Sequence, residues 1–127
     1  MTLRDLDGIF LKYAPYFDPC VELQNGVEMS VSGMRKSFKH VHSLADADGV
    51  RFLCPRCFAD NKGPVGTHSV ICWFTDRVPP DLDPGPGRWN PSGTGLEDLT
   101  FIGPGATSVA LHDGCRWHGF VSNGDAA

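Results

Sequence analysis

Glycine and proline interrupt this chain too often for any long periodic element to form. There are 15 Gly and 10 Pro among 127 residues, and a helical bundle or coiled coil needs uninterrupted periodic stretches. The pattern predicts short strands joined by irregular loops, an α+β, β-rich fold built around a small antiparallel sheet. The length suits one domain and is too short for two with separate cores. Residues 1–127 therefore read as a single domain, with a helical or hairpin lead-in over 1–48 and a β-rich part over 49–125.

The lead-in carries two local signals. Leu3, Leu6, Ile9 and Phe10 have helical spacing behind a Thr2/Asp5 pair that resembles a capping box, so a short amphipathic helix is expected over the first 13 residues, ended by Ala14-Pro15. Val21, Leu23, Val27, Met29 and Val31 then alternate around Asn25-Gly26, the strongest short-range hairpin signal. Met34 to His42 holds Arg35, Lys36, Lys39 and two histidines, and reads as a solvated helix or loop surface.

Further on, strands are expected at 50–53, 68–74, 99–101, 108–111 and 117–121, with a turn at Asp113-Gly114. Seven Pro and Gly residues between Pro79 and Pro91 leave no room for a central strand, so this stretch reads as a surface loop or lid. Trp73, Trp89 and Trp117 read as core or pocket aromatics.

Charge and hydropathy narrow the function. A net charge of −4 argues against a domain held on nucleic acid by phosphate contacts. No apolar run approaches the ~20 residues of a membrane span. The start, Met1-Thr2-Leu3-Arg4-Asp5, lacks the apolar stretch of a secretory signal. A cytoplasmic protein with reduced thiols is expected, and 5 Cys is an odd count for a disulfide framework. In that setting spaced Cys and His residues point to metal.

Cys54-Pro55-Arg56-Cys57 is the sharpest chemical feature. A tight turn brings two such thiolates to one side, and structural zinc needs four ligands in a tetrahedron. His68, Cys72, Cys115 and His118 are the candidates for the other two. Cys115-x-x-His118 forms a second pair of ribbon-like spacing. His68 and Cys72 lie too far apart along one strand to share an ion, and His68, just beyond the cysteine loop, is favoured. The redox alternative for C-x-x-C needs the motif at a helix start, and Asn61-Lys62-Gly63-Pro64 is a poor helical continuation. Cys20 reads as a small core residue.

Residues 95–101 (Gly-Leu-Glu-Asp-Leu-Thr-Phe), Ser108-Val109 and the stretch from Cys115 to Val121, with Asn123-Gly124, carry a resemblance. Together with the cysteine knuckle they resemble a family of small zinc-containing phage and bacterial proteins of formerly unknown function. It includes serine-peptidase, deubiquitinase-like members of bacterial ubiquitin-like (Bub) operons. The resemblance covers roughly residues 50–125. It implies a bacterial cytoplasmic setting, a protein or ubiquitin-like substrate, and a triad of Ser108 as nucleophile, His118 as general base and Glu97 as orienting acid, with Asp98 an equal candidate from the residues alone. Such a set has a chemical logic, since imidazole activates the hydroxyl and a carboxylate fixes the imidazole. Thr107 stands where the family has Pro before the serine, and Gly103-Pro104-Gly105-Ala106 lengthens the approach to it. With His118 as base, the consistent structural Zn2+ set is Cys54, Cys57, His68 and Cys115. The rival expectation is a non-catalytic zinc module that binds a protein partner.

Overall fold

The fold was obtained as a computed structural model that describes residues 1–13, 16–24, 27–35, 38–78, 87–111 and 114–127; for 16–24 and 27–35 it describes the backbone. Its strands pair antiparallel throughout. A four-stranded sheet runs in the order β4 (Phe38–Val41), β1 (Ile9–Tyr13), β5 (Gly49–Leu53), β6 (Ser69–Trp73). A three-stranded sheet has the order β11 (Asp125–Ala126), β10 (His118–Ser122), β9 (Ser108–Ala110). Two further pairs are β2 (Tyr16–Gln24) with β3 (Val27–Arg35), and β7 (Asn90–Ser92) with β8 (Thr100–Ile102). Among the described residues the α-helix is α1 (Pro55–Asn61). The β-rich α+β class expected from the punctuation is the class observed.

The expected amino-terminal helix is not there. Thr2 Oγ1 does accept the Asp5 N–H at 3.1 Å, but the turn closes at Gly8, whose N–H donates to Leu3 O at 2.7 Å. From Ile9 the chain is extended because both faces are covered: Phe10 joins the main core, while Leu11 packs with Trp73 and Val78 on the other side. A one-sided helix cannot serve two opposite apolar surfaces.

The hairpin signal corresponds to β2 and β3, with Gln24 opposite Val27; Asn25 and Gly26 lie outside the described residues. The basic stretch expected as helix or loop surface forms the end of β3 and all of β4, with Phe38, Lys39 and His40 exposed. The β2–β3 ladder keeps the register of β1–β4. Tyr13 faces Phe38 and Tyr16 faces Arg35, with two residues on each strand between these rungs.

One buried cluster draws on residues from Leu3 to Ala126, including Phe52, Phe74, Leu99, Val109 and Trp117. Aromatic edges lock it: Trp117 meets Phe52 at 6.0 Å and 88°, and Phe74 meets Phe101 at 6.4 Å and 70°. Within the Pro/Gly stretch, residues 79–86 lie outside the description, and Pro91 sits opposite Phe101 in a two-stranded pair, where its missing N–H is tolerated.

Gly124 joins the two ends of this core. Its φ is +74°, its N–H donates to Leu99 O at 2.9 Å, and its carbonyl accepts the Leu3 N–H at 2.8 Å. A methyl group there would lie 2.5 Å from Leu96 O and collide with Glu97 O as well. Gly124→Ala is expected to cost about 1–3 kcal/mol through overpacking and backbone strain. Urea denaturation checks this, and an unchanged midpoint would show that the loop yields.

Candidate metal centre

Strand β5 delivers Cys54 to the end of the sheet in extended geometry, φ −60° and ψ 122°. Pro55 then opens α1, a favoured first helical residue because its missing N–H has no intrahelical role there. This corrects the expectation of a bare turn without a helix: the motif starts a helix after a strand, and α1 ends at Lys62 in the left-handed region, φ 55°. The first helical turn carries Cys57 back toward Cys54. The Cys54 N–H donates to His68 O at 2.9 Å, which extends the β5–β6 ladder by one rung and brings His68 beside the motif.

Cys115 arrives from the loop before β10. Its carbonyl accepts a hydrogen bond from Arg56 Nη1 at 3.2 Å, and Arg116 beside it takes φ 54°. Arg56 is a positioning contact that the sequence reading passed over, although it lies inside the Cys54–Cys57 motif.

The ligand atoms of Cys54, Cys57, His68 and Cys115 all lie within 4.8 Å of one another, close enough to hold a metal ion. Cys54 Sγ and Cys115 Sγ are 3.4 Å apart, and His68 Nε2 is 3.3 Å from Cys115 Sγ. Tetrahedral zinc with three thiolates and one imidazole places neighbouring donors about 3.5–3.8 Å apart. The donor set and spacing are therefore compatible with zinc. All four positions come from the protein, which leaves none open for substrate.

Burial, with the neighbouring Cys115 and Cys54 sulfurs, pushes the Cys57 thiol up to about 12, and burial also raises Cys54. Burial acts against ionisation of Cys115 too, but hydrogen bonds from His68, the Trp117 N–H and the other two thiols outweigh it and bring that thiol to about 6. The cluster thus favours one thiolate, because three at this separation repel. A bound divalent cation is what lets all three ionise together.

Cys72 is fully buried and belongs to the hydrophobic core opposite Val50. His118 is exposed on β10, its ring 6.2 Å from Phe120. Neither is in the cluster.

The residues expected as a triad are placed as follows. β9 and β10 pair with Ser108 opposite Phe120 and Ala110 opposite His118, so Ser108 and His118 share one face as diagonal neighbours. No hydrogen bond joins Ser108 Oγ, His118 and Glu97. Glu97 pairs instead with Arg4, whose hydrogen bond and charge hold its carboxyl below the usual range. Asp98 accepts from the N–H groups of Thr94 and Gly95 and from the Thr94 hydroxyl, which lowers its carboxyl likewise. Trp89 stacks on Phe101 at 5.8 Å and donates from Nε1 to Ser108 O at 2.9 Å, so its contacts are packing contacts.

No helix among the described residues is long and apolar enough to cross a membrane. Comparison with protein-family models, curated proteins and solved structures finds no match to this chain.

Proposed function

We propose that this protein is a small β domain stapled by a structural zinc ion and that it serves as a protein-interaction module. The observation that carries the reading is the convergence of Cys54, Cys57, His68 and Cys115 from three separate chain segments onto one point. A closed set of thiolates and imidazole is the chemistry of a folding site rather than of Lewis-acid catalysis. The ion would tie the β9–β10 hairpin to α1 and β6, and so fix the surface that β10 presents, including the half-exposed Phe120.

A second reading is supported by the shared face of Ser108 and His118 on β9–β10. In it the zinc-stapled hairpin is a serine hydrolase acting on a peptide or isopeptide bond, with a ubiquitin-like carboxyl terminus as the substrate class. Imidazole Nε2 would take the Ser108 proton after the two side chains close their diagonal gap.

A fluorophosphonate probe separates the two. The interaction module leaves Ser108 unlabelled in the folded, metal-loaded protein. Labelling of Ser108 that disappears in both Ser108→Ala and His118→Ala, with zinc content unchanged, would establish the hydrolase instead.

A further inference from the structure

His40 lies in β4 and His42 directly follows the strand's last residue, Val41, so a single position separates them. β4 is an edge of the four-stranded sheet, and both rings are exposed. Their centroids are 4.8 Å apart with the planes tilted by 45°. Neither ring has a hydrogen-bond partner among the described residues, so the ring nitrogens are not committed to other protein groups. The two histidines line one wall of a cleft of about 470 Å³, and Arg4, Leu96 and Glu97 line it as well.

The separation has a chemical meaning. Two imidazoles bound cis to one square-planar or octahedral ion at ~2.1 Å, with an angle of about 90–100° at the metal, hold their ring centres about 4.6–5.0 Å apart. The observed 4.8 Å falls inside that interval.

We propose that His40 and His42 form a second metal site, for a divalent ion that takes imidazoles in cis positions, such as Ni2+ or Cu2+. It is separate from the cysteine centre. His68 precedes β6 at one edge of the sheet while β4 forms the other, three strand spacings or about 14 Å away. Its donors differ as well: two imidazoles, with water completing the shell. Such a site keeps open positions, unlike the closed thiolate centre.

The test uses tag-free, zinc-loaded protein dialysed against micromolar Ni2+, with nickel and zinc both counted by elemental analysis and the affinity measured by calorimetric titration. One nickel per chain is expected in addition to retained zinc. His40→Asn and His42→Asn should each weaken nickel binding roughly tenfold or more. Circular dichroism shows whether the variants stay folded, which substitution of two exposed side chains should allow. Nickel that enters only as zinc leaves, no nickel above background, or undiminished binding in both histidine variants would each overturn the proposal.

Discussion

A strong chelator is expected to unfold this protein. Structural zinc in small domains supplies roughly 10–16 kcal/mol of apparent binding energy. The whole stability of a small domain is about 5–15 kcal/mol. Removing the ion from Cys54, Cys57, His68 and Cys115 leaves three thiols packed together and releases the tie between the 54–57 motif and the β9–β10 hairpin. Cooperative thermal unfolding should disappear in chelator and return when zinc is added back. Cys115→Ser should behave like the chelated protein even with zinc present, because it removes the one ligand on the distant hairpin. A protein that holds less than one zinc per chain and keeps its full melting transition in chelator would refute the staple.

The second large effect concerns the core rather than the metal. Phe74 is fully buried, meets Phe101 edge-on, and has the Arg77 guanidinium 5.4 Å above its ring. Phe74→Ala should cost about 3–5 kcal/mol, the range for deleting a buried aromatic ring. Zinc stoichiometry should stay at the wild-type value in the folded fraction, since Phe74 is not among the ligands. Guanidinium denaturation measures the loss, and a change below about 1 kcal/mol would mean that the neighbours collapse into the cavity.

Those two experiments probe parts of the molecule that were unequally legible in the sequence. The hairpin around Asn25-Gly26 could be read because turn chemistry and alternation are local. Cys54 and Cys57 could be paired for the same reason, and strand rise alone separated His68 from Cys72. The register bears this out: Cys72 faces Val50 in the core, while His68 sits at the sheet's end beside Cys54. The first 13 residues misled because helical spacing over so few positions cannot report that Leu11 is buried on the face opposite Phe10. Helix α1 is hidden by Asn61-Lys62-Gly63-Pro64, which mark its end, while the signal for it is Pro55, where it begins. The Arg4–Glu97 pair joins residues 93 positions apart, a distance no local pattern can bridge.

The register shared by the β2–β3 and β1–β4 ladders has a consequence for how this chain can change over time. The β2–β3 ladder contributes nine rungs, each about 3.4 Å along the ribbon. Residues lost or gained in matched numbers on both strands would shorten or lengthen it while Phe10 still faces Val41 and the sheet stays as it is. A single residue lost from one strand would turn every later side chain to the wrong face. Reach is therefore a quantity this architecture can vary in paired steps, independently of the core and of the cysteine centre.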